Sequence, residues 1–310
     1  MPIPRVLGVW REAMLISLFV LARIVANPLS NVFQKQLTQR DANPVFIIGV
    51  VYAFLTVMCL PLIFGPASLT LRLGSAVWAN MSVCALLAVA GNVLLVYALK
   101  STDLSILGPI NAYKSIVSLV IGVFLIGERP TAMGVAGMIL ILAGSYVVLD
   151  RDDGQPRRNA FVRFFRERGI QLRFAALFLS ATEAVFLKKA ILLSSPGTVF
   201  VLWSILGLPI AALAFVILLR GRAAAEIVAC WKHPRTYVWL AITTGLMQLA
   251  TVLTFGKLQV GYSLALFQMS TLLSVLLGYR YFQERHVARR FFGSVVMVAG
   301  AVMIIVFGNR

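Results

Sequence analysis

The chain has 310 residues, 60% of them hydrophobic and only 13% charged, with a mean hydropathy of +0.91. Soluble domains carry about a quarter charged residues, so this composition excludes a soluble globular protein and places most of the chain in lipid. The formal net charge of +17 then belongs to loops, where Lys and Arg set orientation and meet anionic headgroups, and not to a nucleic-acid surface.

A hydrocarbon core about 30 Å thick takes roughly 20 apolar helical residues to cross. Stretches of that length predict ten helices, at 12–38, 44–66, 76–99, 104–126, 131–149, 172–193, 197–219, 236–256, 260–282 and 287–307. None alternates as a barrel strand does. Pro44, Pro130, Pro196, Pro234 and Gly261 mark corners. The first stretch lacks a small-residue cleavage site and reads as a span, not a signal peptide.

Ionisable groups inside a span are costly and face a cavity or a partner. The first span carries Arg23, Asn27, Ser30, Asn31 and Gln34, which share one helix face, with Pro28 loosening the backbone among them. Lys35 follows near the span's end, where it either snorkels to the interface or serves function. Asn92 and Tyr97 lie in the third span. The fourth has Asn111, Lys114, Ser115 and Ser118, and Lys114 is the cation furthest from any loop.

The central segment is the one long polar stretch, with Arg157, Arg158, Arg163, Arg166 and Arg168 interleaved with Phe161, Phe164 and Phe165. That mixture suits a short helix at headgroup level. The sixth span brings Ser180, Glu183, Lys188 and Lys189. Glu183 either pairs with Lys114 or Arg23 or, desolvated, carries a proton; the ion pair is the preferred reading. Thr244, Gln248, Thr251 and Thr254 fall on one face of the eighth span, and Gln268 lies in the ninth. The three cysteines have no metal-ligand or disulfide spacing, and no catalytic motif, metal site or nucleotide loop is present, so no enzyme and no cofactor is expected.

An offset of 156 residues carries Ser118 onto Ser274, Gly122 onto Gly278, Glu128 onto Glu284, Arg129 onto Arg285, Gly137 onto Gly293 and Gly144 onto Gly300. This is an internal repeat: residues 1–150, a basic linker at 151–171, and residues 172–310. The Phe-x-Lys ends of the first and sixth spans, Phe33 with Lys35 and Phe186 with Lys188, also coincide. Five spans per copy force the second copy upside down, the plan of transporters with a midplane site. The glycines seven apart read as close-packing seams. Glu128 and Glu284 are placed to face the N-terminus of the helix that follows each.

Two five-helix copies, each closing with Glu-Arg, a span and Gly-x6-Gly, resemble the EamA type of the drug/metabolite transporter superfamily. The resemblance implies an all-α membrane protein of ten helices in an inverted repeat. It implies a central cavity lined by the first four helices of each half, and alternating access for small metabolites. It also implies cytoplasmic termini in a cell (inner) membrane, whereas the Lys/Arg bias favours the reverse orientation. The expected substrate is small and anionic or zwitterionic. Arg23, Asn27, Asn31, Asn111, Lys114, Ser118, Gln248 and Gln268 would bind it, Glu183 would balance charge or couple protons, and Lys35, Lys188 and Lys189 are further cations. Expected partners are this substrate and membrane lipids, with a homodimer through peripheral helices as an option. A lipid-phosphate flippase and a non-transporting scaffold or sensor are the alternatives.

Overall fold

The computed structural model describes residues 3–64, 73–111, 113–114, 116–117, 120–121, 131–149, 166–218, 223–258, 260–284 and 287–307. Among them the chain is all helical. The helices are α1 (Ile3–Thr38), α2 (Pro44–Phe64), α3 (Ser75–Ser101), α4 (Leu104–Ile110), α5 (Ala132–Leu149), α6 (Arg168–Leu193), α7 (Pro196–Leu218), α8 (Ala223–Lys232), α9 (Pro234–Lys257), α10 (Val260–Leu266), α11 (Ser270–Phe282) and α12 (Val287–Phe307). Ser118, Gly122, Glu128, Arg129, Arg285 and the arginine-rich stretch to 165 lie outside the described residues.

Five described helices are long and apolar enough to cross a membrane: Met14–Thr38, Pro44–Phe64, Ser75–Ser101, Pro196–Leu218 and Pro234–Lys257. Their outward faces are apolar, with Leu18, Leu21 and Val25 on α1 and Val57 and Met58 on α2 all exposed. Apolar surface on that scale needs lipid against it. Inside, Tyr52, Met81, Trp203 and Phe255 are fully buried members of one apolar cluster built from α1, α2, α3, α6, α7 and α9.

Two expected spans are not continuous helices. The predicted 260–282 helix is interrupted by a 3₁₀ turn at Phe267–Met269, which separates α10 from α11. The predicted 104–126 helix has a break at the corresponding place, where α4 stops at Ile110 and Asn111 forms a turn. A broken helix in a membrane frees backbone groups that only a cavity or neighbouring protein can satisfy. Asn111 and Gln268 meet there, Gln268 Nε2 donating to the Asn111 carbonyl at 3.1 Å.

The helices pack in matched pairs: α1 on α9, α3 on α6, α2 on α7, α4 on α11 and α5 on α12. The α5–α12 contact is the most extensive, and the glycines explain it. A Cβ on Gly144 would lie 2.7 Å from the Gly293 carbonyl oxygen, and one on Gly300 would lie 2.6 Å from that of Gly137. The small-residue seams inferred from the spacing thus pack on each other. Near the surface, α8 was not anticipated; it exposes Ile227, Val228 and Trp231 beside Lys232, a composition suited to the headgroup layer.

Candidate functional site

The polar face of α1 folds inward because every alternative would set an arginine and three amides in lipid. It meets α9 through an antiparallel polar ladder. Arg23 Nε donates to Thr251 Oγ1 at 2.8 Å, and seven residues along, Ser30 and Thr244 share a 2.9 Å hydroxyl–hydroxyl bond. The seven-residue steps run in opposite directions on the two helices, as two antiparallel helices require. Asn27 Nδ2 reaches Ser270 Oγ at the start of α11, at 3.5 Å. The Arg23 guanidinium also lies 5.0 Å from the Phe267 ring centre, a cation–π geometry.

These contacts line one wall of a cavity with a solvent-accessible volume of about 100 Å³. That is well above the roughly 10–15 Å³ needed to admit a single water. Arg23, Asn27, Asn31, Asn111, Lys114, Gln248, Gln268 and Glu183 all line it. Ser30, Gln34, Asn92, Ser180, Thr244 and Thr251 line it too.

Arg173, Tyr52 and Trp203 also line the cavity and were not singled out in the sequence. Arg173 lies in α6 and is buried, only 6% exposed. Its Nε donates to the Leu107 carbonyl at 3.2 Å and its Nη2 to Asn111 Oδ1 at 2.7 Å, tying α6 to the break after α4. The spacing Arg173, Ala176, Ser180, Glu183 follows one helical face and would have revealed it. The Tyr52 and Trp203 rings lie 4.7 Å apart, and Trp203 Nε1 donates to Glu183 Oε1 at 3.1 Å. Gly207 admits the Tyr52 ring, which a side chain there would strike.

Glu183 therefore has a neutral donor where an ion pair was expected. Among the described residues no cation lies within ion-pair distance of it, although Arg23 and Lys114 line the same cavity. Three cations and one carboxylate share the space, so formal positive charge is in excess. Two nitrogens there have no partner among the described residues: Arg23 Nη1 and Gln248 Nε2. A buried donor left unpaired costs about 1–3 kcal/mol, which an incoming acceptor would recover.

The other cations lie elsewhere. Lys35 does not snorkel; it is buried and forms an ion pair with Glu284 at 2.9 Å. Glu284 does not face the following helix. It accepts from the Leu104 and Ser105 backbone N–H groups at 2.7 and 2.8 Å, capping α4 in the other half of the chain. Arg290 approaches Glu284 at 3.8 Å and pairs with Asp103 at 3.2 Å. Burial alone would push the Glu284 carboxyl up. The Lys35 ammonium and the hydrogen bonds from Ser105 and Lys35 outweigh it and hold the group below its usual value of 4.5. Lys188 donates to the Phe255 carbonyl and, at 3.1 Å, to that of Leu258. Lys189 is exposed, 5.7 Å from the Phe186 ring.

Residues 14–150 match the model of the EamA-like transporter family. The first half of the chain is thus similar to that family. The apolar helices make the protein a multi-pass membrane protein. No curated protein matches the chain. A solved structure described as "Crystal structure of protein" is 16% identical, covers 95% of this chain and 98% of its own, and superposes with a TM-score of 0.66. At that identity the likeness shows that the chain shares a fold with it.

Proposed function

We propose that the protein is a secondary transporter of ten helices in two inverted copies, moving a small anionic or zwitterionic metabolite by alternating access. The helix pairing supports the inverted repeat. Exchanging the halves turns the α1–α9 contact into α6–α3, and the Gly144–Gly293 contact into Gly300–Gly137. Such self-exchange is the mark of a two-fold relation.

The observation that carries the function is the cationic cavity with unpartnered donors. Glu183 is ten residues from the end of α6, about 15 Å of helix, or half of a 30 Å hydrocarbon layer. A charged cavity at that depth is a costly arrangement that serves solutes and not packing. Arg23 and Lys114 attract a carboxylate or phosphate. Asn27, Asn31, Gln248 and Gln268 orient it, with Ser118 assigned the same role from the sequence. Glu183, held by Trp203, receives an ammonium group or a proton. The breaks at Asn111 and Phe267–Met269 place backbone dipoles at the same level, as in other broken-helix transporters. The membrane is assigned as a cell (inner) membrane and the termini as cytoplasmic.

The reading is tested by thermal shift on purified protein with carboxylates, phosphate monoesters and α-amino acids. One class should raise the midpoint, and Lys114→Ala should remove the rise. A rise that survives Lys114→Ala places the ligand elsewhere.

A further inference from the structure

Lys35 and Lys188 occupy matching places in the two copies, and their backbone partners match as well. Lys35 Nζ donates to the Thr102 carbonyl at 3.3 Å, just past the end of α3. Lys188 Nζ donates to the Leu258 carbonyl at 3.1 Å, just past the end of α9. The two carbonyls are 156 residues apart, the offset of the repeat. Lys35 has Glu284 at 2.9 Å; the counterpart of Glu284 in the repeat is Glu128, which lies outside the described residues.

The Lys35 contact crosses between the copies. Lys35, Thr102, Leu104 and Ser105 belong to the first, and Glu284 and Arg290 to the second. Side-chain exposures of 9% for Lys35 and 3% for Glu284 place this direct contact in the interior. Gly278 is required for the approach, since a Cβ on it would lie 2.5 Å from Glu284 Oε2. Lys35 is one turn beyond Asn31 and adjacent to Gln34, both of which line the cavity. The cluster therefore stands directly between the cavity and the end of the bundle where α1 and α3 stop.

We propose that the Lys35–Glu284 pair is a latch that closes the cavity at this end, and that the structure is the state with this latch made. The inference rests on the alternating-access reading above. Releasing the latch lets the second copy swing away from the α3–α4 corner and opens the cavity beside Gln34. Both residues are then positioning residues and touch no substrate. A permanent staple would use the same contacts, but losing it would lower stability without changing which end admits solvent.

The test uses the full chain with Cys59, Cys84 and Cys230 replaced and Asn31→Cys as a cavity reporter. The protein is placed in sealed phospholipid vesicles of known orientation and labelled with a membrane-impermeant maleimide from each side. In the parent, labelling from the Lys35 end should be slow. Lys35→Met and Glu284→Gln should each speed labelling from the Lys35 end about tenfold, the response to shifting a two-state balance by one latch. Lys188→Met should leave labelling from the Lys35 end unchanged. Equal labelling in the parent, Lys35→Met and Glu284→Gln overturns the latch while leaving the transporter reading intact. Absence of labelling from either side in every variant overturns both. Should Glu284→Gln fail to fold, Lys35→Met decides alone, because it keeps the Glu284 cap on α4.

Discussion

Replacing Glu284 with Ala is expected to cost about 3–5 kcal/mol of stability, the usual penalty for stranding one partner of a buried ion pair. The carboxylate satisfies Lys35 at 2.9 Å and two α4 backbone N–H groups at 2.7 and 2.8 Å, with Arg290 at 3.8 Å. Its removal leaves a buried ammonium with one carbonyl, and α4 loses the group that caps it. Thermal unfolding in detergent measures the loss. Adding Lys35→Met should recover part of it, since the stranded charge is then gone; a double variant as damaged as the sum of the singles would show that the pair is not coupled. Because the folded-state value of Glu284 lies below 4.5, its contribution is present above that pH. It is lost as pH falls through the folded value. The gap between parent and Glu284→Ala should therefore narrow in acid and stay constant from pH 6 upward.

The second large effect lies on the α5–α12 seam. Gly144→Leu drives a side chain into backbone, because even its Cβ would sit 2.7 Å from the Gly293 oxygen and 2.8 Å from the Met297 nitrogen. Overpacking that side chains can absorb costs about 1–3 kcal/mol. Backbone cannot move aside, so the two helices must part and the seam is lost. Gly300→Leu meets the Gly137 oxygen at 2.6 Å and the Ile141 nitrogen at 2.9 Å, and should be equally damaging. Ala143→Leu, one residue away on an exposed position, should be harmless. Yield of monodisperse protein and its unfolding midpoint report all three; a Gly144→Leu protein as stable as Ala143→Leu would refute the close approach.

That seam was legible in the sequence because glycines seven apart carry their own geometry. The cavity wall on α1 was legible for a similar reason: polar residues at helical spacing in an apolar span have one place to go. Glu284 was harder. Its chemistry was recognised, a carboxylate at a helix N-terminus, but the helix lies about 180 residues away in sequence, and local reasoning chose the nearer one. Lys35 was misread for the same cause, since its counter-charge comes from the other half. The interruption at Phe267–Met269 left no Pro or Gly to announce it; tertiary contacts around Gln268 impose it. Arg173 was missed although it lies inside the predicted 172–193 span, because its partners, the Leu107 carbonyl and Asn111, lie in the other half of the chain.

The most direct measurement is exchange of radiolabelled solute in proteoliposomes loaded with the same compound, run in turn with monocarboxylates, phosphate monoesters and α-amino acids. At least one class should exchange in the parent protein and fall to the level of empty vesicles in Arg23→Ala, whose guanidinium supplies the unpartnered Nη1. Exchange of no class by folded protein, or undiminished exchange by Arg23→Ala, would contradict a cationic cavity that carries its solute across the membrane.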